Sequence, residues 1–155
     1  MLEKSHPIKK ETTSWGVPWE DAYGYVQAIR VGNDIHLSGQ LSHDESGNFL
    51  HPAPLDAAGR PTDFAMMEAQ MCVTYENIAK LLARFGATLD NVVAETLYVL
   101  DVDAAFAVAG KVRKAAYGVE QPQCASDIIG VPRLAQPVQL IEVSCKAVIG
   151  HGTRT

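Results

Sequence analysis

Polar and apolar residues alternate along several stretches of this chain, and the first two form a pair. The stretches are residues 23–31 and 35–40, and Gly32 and Asn33 stand between them. Alternation with a period of two is typical of β-strands, and a Gly-Asn dipeptide supplies the backbone conformations of a tight turn. The pattern therefore predicts a β-hairpin.

A three- and four-residue spacing of apolar side chains follows over residues 64–85. This spacing predicts an amphipathic helix. Thr62 or Asp63 is the expected N-cap, and Gly86 is the expected stop.

A β-branched and aromatic run over residues 92–100 predicts a strand, and a shorter helix over residues 104–117 follows it. Asp101 or Asp103 is the expected N-cap of this helix, and Gly118 its end.

Two further β-rich runs close the chain, joined by a turn that contains Pro132 and Pro137. In the second run, alternation places Glu142 between Ile141 and Val143, on the opposite face from both. The order strand, strand, helix, strand, helix, strand, strand predicts an α+β sandwich in which one sheet carries both helices on one face.

The length of 155 residues, nearly half of them apolar, fits one domain. We expect an irregular N-terminal arm over residues 1–17, the domain over residues 18–150 and a flexible tail over residues 151–155. Trp15 and Trp19 either pack the arm down or line a cleft.

A net charge of −5 without a basic run argues against nucleic acid and membrane as partners. Three scattered cysteines and an N-terminus without an apolar leader favour a cytoplasmic protein. His43 and His51 lack the spacing of metal ligands, so we expect no metal site.

Several segments resemble the Rid family, the YjgF-like reactive-intermediate deaminases, over residues 23–149. In the first hairpin the resemblance rests on two segments, Gly24-Tyr25-Val26-Gln27-Ala28-Ile29 and Leu37-Ser38-Gly39-Gln40. In the closing strands it rests on three more, Cys124-Ala125-Ser126, Arg133-Leu134 and Ile141-Glu142-Val143. The resemblance implies a chorismate-mutase-like fold, a homotrimer with small-molecule clefts between subunits, and hydrolysis of imines or enamines without a cofactor.

The resemblance also implies which residues form the site. Glu142 and Ser126 are the expected catalytic residues, and the expected substrate-binding residues are Tyr25, Ser38, Gly39, Cys124, Ile128 and Arg113.

The chain departs from the family at Ser126, where the deaminases carry an arginine that binds the substrate carboxylate. A serine hydroxyl donates one neutral hydrogen bond, whereas a guanidinium can donate two charge-assisted ones. Arg113 is the first candidate to replace that arginine and Arg133 the second.

Three functional hypotheses remain open at this point. The first is an imine or enamine hydrolase in which Glu142 handles water or protons. The alternative is a trimer that binds a small metabolite without turnover, and the third is a scavenger that uses the Cys124 thiol.

Overall fold

One sheet organises this chain, and the computed structural model describes it over residues 6–150. The elements are β1 Glu11–Thr13, α1 Pro18–Tyr23, β2 Ala28–Val31, β3 Asp34–Gln40, α2 Met67–Ala83, β4 Val92–Val99, α3 Val102–Tyr117, β5 Ala125–Gly130 and β6 Ile141–Val148. The strand order is β1-β2-β3-β6-β4-β5. Neighbouring strands are antiparallel except β4 and β5, which α3 connects as a parallel pair.

The two long helices pack together on one face of the sheet and enclose the core. Met71 and Ile78 of α2 are fully buried, as are Leu97 of β4 and Val143 of β6. The apolar face of the helices thus packs against the apolar face of the sheet. This arrangement is the predicted α+β sandwich. The fold class is therefore confirmed.

Within the described part of the predicted arm, residues 6–10 and 14–17 form no helix or strand, and residues 11–13 depart from the irregular structure expected. Residues Glu11–Thr13 form β1, which pairs with β2 and places Thr12 opposite Ile29. At the start of the predicted domain, residues Pro18–Tyr23 form α1, a six-residue helix where no helix was predicted. Residues 1–5 of the arm and the predicted tail at 151–155 lie outside the described residues.

The predicted cap of the first long helix is also wrong. Helix α2 begins at Met67, later than expected, and its N-cap Met66 makes no side-chain capping bond. Asp63 instead accepts a bond from the amide of Ala65 at 3.0 Å and stabilises the preceding turn.

The predicted cap of the second helix is right at Asp101, whose carboxylate accepts from the amide of Ala104 at 2.8 Å. Helix α3 begins at Val102, two residues before the predicted start. Gly118 ends it in the left-handed conformation, with φ of 70°.

The second face of the sheet carries neither α2 nor α3. Ile129 of β5 and Val148 of β6 alternate with core-facing residues, and they remain 46% and 36% exposed. Antiparallel sheets tolerate one solvated face, but exposed aliphatic side chains on it mark a surface suited to association. The helices within residues 6–150 do not include a candidate membrane span.

Candidate functional site

Glu142 lies in the middle of β6 on the face away from α2 and α3. Its neighbours Ile141 and Val143 are fully buried in the core, whereas Glu142 is half-buried. The pairing of β3 with β6 is irregular between Leu37 and Gln40, which leaves room for a side chain across the two strands. Strand alternation thus brings one carboxylate to the second face.

Gly39 lies directly beneath this carboxylate. A Cβ built on Gly39 would stand 1.9 Å from Oε1 of Glu142 and 2.5 Å from its Cδ. No side chain fits at such distances, so the position of Glu142 depends on glycine at residue 39.

The carboxylate opens into a cavity of about 340 Å³, which we call the Glu142 pocket. Its lining residues are Trp19, Tyr23, Tyr25, Ser38, Gly39, Leu41, Ala135, Gln136, Gln139 and Glu142. Four of the eight site residues expected from sequence meet here: Tyr25, Ser38, Gly39 and Glu142. The volume suits a small metabolite.

Burial raises the pKa of Glu142, because removal of water disfavours the charged carboxylate. The amide of Gln139 donates to Oε2 at 3.2 Å and offsets part of that shift. A carboxyl group with a raised pKa exchanges protons closer to neutral pH, where a general acid or base is most effective.

The tyrosine beside Glu142 is held by its neighbours. The Gln27 amide donates to the Tyr25 hydroxyl at 3.0 Å. Burial, together with the negative charges of Glu20 and Glu142, raises the pKa of Tyr25, so its phenol stays neutral. Ser38 donates its hydroxyl to the Val26 carbonyl at 2.8 Å.

Sequence analysis left the role of Trp19 open and missed Tyr23. Both lie on α1, which holds them at the pocket. Two residues of the sequence indicate this helix. Pro18 stands at its first position, which proline favours, and Gly24 ends it with φ of 88°. Six residues are too few for a periodic pattern to stand out.

A second group of polar side chains, the Glu95 cluster, lies on the helix-covered face. Glu95 is only 4% exposed and accepts hydrogen bonds from the hydroxyls of Tyr75 at 2.8 Å, Tyr117 at 3.0 Å and Ser126 at 2.9 Å. The guanidinium of Arg113 pairs with the same carboxylate. These four donors satisfy a buried charge that would otherwise be very costly.

The Glu95 cluster sets the direction of the Ser126 side chain relative to Glu142. Within one protomer the two side chains lie on opposite faces of the sheet, because the Ser126 hydroxyl points to Glu95 on the helix side. The β5 residue that alternates toward the face of Glu142 is Asp127, which is exposed.

Neither arginine proposed as a replacement lines the Glu142 pocket. The guanidinium of Arg113 forms an ion pair with Glu95, and the Arg113 side chain is 18% exposed. Arg133 lines a separate cavity of about 620 Å³ together with Arg60.

The remaining predicted residues, Cys124 and Ile128, also lie away from the pocket. The Cys124 sulfur is 3.5 Å from the Tyr117 hydroxyl, and burial raises the pKa of the thiol. A raised pKa reduces the reactive thiolate fraction, which disfavours the scavenger hypothesis. Ile128 is half-buried against the core.

No group of three or more His, Cys, Asp and Glu side chains within residues 6–150 is arranged to hold a metal ion. Within that range the polar side-chain groups of the pocket lining are one carboxyl group, two phenols, a hydroxyl, two amides and the indole N–H of Trp19.

Comparisons with known proteins agree with this architecture. The family model Endoribonuclease L-PSP matches residues 19–149. A RutC family protein from Pyrococcus abyssi is 32% identical over 124 residues, which span 79% of this chain and 84% of that protein.

Two solved structures illustrate the shared fold. A member of the YjgF/YER057c/UK114 family from Mycobacterium tuberculosis superposes with a TM-score of 0.71 at 24% identity, over 91% of this chain and 100% of that chain. A Rid family protein of unknown function from Yersinia pestis gives a TM-score of 0.70 at 21% identity, again over 91% and 100%. Similarity at these identities shows the fold alone.

Proposed function

This chain belongs to the endoribonuclease L-PSP family, also called the YjgF or Rid family, and on that premise we propose that it hydrolyses small imines or enamines at the Glu142 pocket without a cofactor. The observation that carries the proposal is a half-buried carboxylate with a raised pKa facing a small aromatic pocket. Such a group can take a proton from water and return it to a departing amine.

The reaction asks little of the protein beyond positioning. The carbon of a protonated imine is already electrophilic, so an oriented water and one proton carrier are sufficient. Glu142 accepts a proton as the water oxygen bonds to that carbon, and the proton then moves to the nitrogen of the carbinolamine. As the C–N bond breaks, the hydroxyl proton passes to the Glu142 carboxylate and from there to the departing amine, so the products are a carbonyl compound and an ammonium ion.

Gly39 and Gln139 act as positioning residues in this scheme. Gly39 leaves the space that Glu142 occupies, and Gln139 holds Oε2 so that Oε1 lies above Gly39. Tyr25 offers a neutral hydroxyl beside the carboxylate.

The family name suggests RNA cleavage, but the pocket favours a small ligand. Its described lining residues include no Lys, Arg or His. A phosphodiester would meet the negative charge of Glu142 there, with no cation to stabilise it.

Binding without turnover is the second candidate. It is favoured by the pocket itself, since a cavity of about 340 Å³ with three aromatic side chains in its lining can bind a small ligand whether or not Glu142 transfers a proton. We also propose self-association as a homotrimer through the second sheet face, where Ile129 and Val148 are exposed. Light scattering after gel filtration tests this assembly. A homotrimer should give a mass three times that of one chain.

The experiment for hydrolysis generates imines enzymatically from several amines and amino acids and traps the remainder with semicarbazide. Wild-type protein should lower the trapped fraction, and the Glu142→Gln variant should not. Equal trapping with and without wild-type protein across the panel would favour the binding hypothesis.

A further inference from the structure

Two buried glutamines connect the N-terminal segment of the chain to the Tyr25 hydroxyl. The Trp15 indole N–H donates to Oε1 of Gln40 at 3.0 Å, and Nε2 of Gln40 donates to Oε1 of Gln27 at 2.8 Å. Nε2 of Gln27 then donates to the Tyr25 hydroxyl at 3.0 Å. We call this continuous series of three hydrogen bonds, from Trp15 to Tyr25, the glutamine chain.

Two groups that cannot exchange roles fix the orientation of the Gln40 amide. An indole N–H only donates, so the Gln40 atom that faces Trp15 must be the oxygen. A carbonyl only accepts, and the Gln40 nitrogen lies 2.9 Å from the Ser38 carbonyl oxygen. The reversed amide would bring two donors together at Trp15 and two acceptors together at Ser38. Gln40 therefore has a single orientation.

Gln40 in turn fixes the orientation of Gln27. Because a nitrogen of Gln40 faces Gln27, the Gln27 oxygen must accept there, and the Gln27 nitrogen is left to face Tyr25. Gln27 is 2% exposed and Gln40 is 1% exposed in a single chain, so a neighbouring subunit does not reach these amides. The direction of the glutamine chain is thus a property of the protomer, whatever completes the pocket in an assembly.

The donor that begins the glutamine chain is held from two sides. The backbone amide of Trp15 donates to the Glu20 carboxylate at 2.8 Å. The Arg84 guanidinium lies 4.6 Å from the centroid of a Trp15 ring and donates to the Ser14 carbonyl. Trp15 therefore packs the N-terminal segment against the domain and keeps its indole N–H aimed at Gln40.

We infer that the glutamine chain makes the Tyr25 hydroxyl accept a hydrogen bond inside the protein and donate its own hydrogen into the Glu142 pocket. A hydroxyl carries one hydrogen, and the bond from Gln27 uses an oxygen lone pair, so that hydrogen is not spent on the glutamine. Tyr25 lines the pocket, and burial raises the pKa of its phenol, which keeps the hydrogen in place. Trp15, Gln40 and Gln27 are thereby positioning residues.

The consequence for catalysis rests on the proposed function. A water oxygen that accepts the Tyr25 hydrogen and donates one of its own to Glu142 keeps a second lone pair for the imine carbon. Tyr25 transfers no proton in this scheme. It orients the water that Glu142 deprotonates.

The direction of the glutamine chain can be measured without any turnover. A donor to the phenol oxygen stabilises the phenolate, so its loss in Gln27→Met should raise the pKa of Tyr25. If Gln27 accepted from Tyr25 instead, its loss would remove a partner of the neutral phenol and would lower the pKa. Fluorine NMR of protein labelled with fluorotyrosine follows this titration, and the Tyr25 resonance is the one missing from Tyr25→Phe. An unchanged or lowered pKa would overturn the inference.

Two further substitutions separate the glutamine chain from a general effect of losing a buried amide. Gln40→Met should also raise the pKa of Tyr25, because the Gln27 amide is then free to turn. Gln70→Met is the matched control, since Gln70 is 2% exposed and donates to the carbonyls of His51 and Val138. It should lower stability and leave the pKa of Tyr25 unchanged. An equal rise in all three variants would contradict the glutamine chain.

Turnover separates this inference from the proposed function. Gln27→Met and Tyr25→Phe should each lower kcat/KM about threefold to tenfold, as expected for one neutral hydrogen bond, and the double variant should be no slower than Tyr25→Phe. Additive losses would contradict an action through Tyr25. Hydrolysis that requires Glu142, with an unchanged Tyr25 pKa in Gln27→Met, would refute the glutamine chain and keep the function. A raised pKa without hydrolysis by wild-type protein would refute the function and keep the glutamine chain.

Discussion

Gly39 provides the space that the side chain of Glu142 occupies, since a Cβ on Gly39 would lie 1.9 Å from Oε1. Gly39 lies within the irregular pairing of β3 with β6, and the geometry of the carboxylate also requires a glycine at this position. The two residues stand on neighbouring strands, and their relationship follows from the irregular pairing between β3 and β6.

Gly39→Ala should therefore displace Glu142. We expect kcat/KM for imine hydrolysis to fall about tenfold to a hundredfold, because catalysis is sensitive to displacements near 1 Å. Gly110→Ala is the control, since Gly110 lies in α3 with open space around it and should gain about 0.5–1 kcal/mol of stability with unchanged activity. A Gly39→Ala variant with full activity would contradict the positioning role.

The raised pKa of Glu142 predicts a pH-dependent cost to stability. The folded state holds this proton more tightly than the unfolded chain, so wild-type protein loses stability as pH rises from the unfolded pKa through the folded one. Glu142→Gln removes this loss. Urea unfolding should show Glu142→Gln more stable than wild type at pH 8 and no more stable at pH 4; a constant difference across pH would argue against desolvation.

The same shift predicts how hydrolysis depends on pH. The ionised carboxylate takes the proton from water, so the rate should fall as pH drops through the raised pKa of Glu142. A pH profile of kcat/KM measures this directly. A rate that does not change between pH 8 and pH 5 would show that another group carries the proton.

Glu95 should contribute to folding far more than an exposed carboxylate does. Glu95→Ala leaves Arg113 without its partner and removes the acceptor of three hydroxyls, which should cost about 3–5 kcal/mol of unfolding free energy. Glu68→Ala removes a surface pair with Lys111 and should cost at most about 1 kcal/mol. Equal losses in urea unfolding would mean that the Glu95 cluster is not a structural unit.

Ser126 should affect stability and leave catalysis intact. Ser126→Ala removes one donor to Glu95, at a cost of about 1–2 kcal/mol, and should leave kcat/KM unchanged. Asp127→Ala is the comparison on the other sheet face. A tenfold loss of kcat/KM in Ser126→Ala would return that residue to the site.

The long helices and strands were predictable because their apolar side chains recur at a regular spacing. Helix α2 and strand β4 show clear periods, and Asp101 and Gly118 carry capping signals. Helix α1 has six residues, too few for a period, so the pocket wall it builds was missed.

The side to which Ser126 points was not predictable from its own strand. It is set by the pairing of β5 with β4, where Ser126 stands opposite Glu95. The sequence of β4 did indicate a buried partner, because Glu95 lies on the same strand face as Leu97 and Val99. Alternation along the strand therefore predicts that Glu95 is buried. The resemblance located Glu142, Gly39, Ser38 and Tyr25 because these lie on two strands that the motifs fix.

The most direct measurement compares kcat/KM of wild type and Glu142→Gln at pH 8 with the imine that wild-type protein hydrolyses fastest in the trapping panel. The account predicts acceleration by wild type and a loss of about a hundredfold to ten-thousandfold in the variant, with the fold retained by circular dichroism. Equal kcat/KM values would contradict the central claim that the Glu142 carboxylate performs the chemistry.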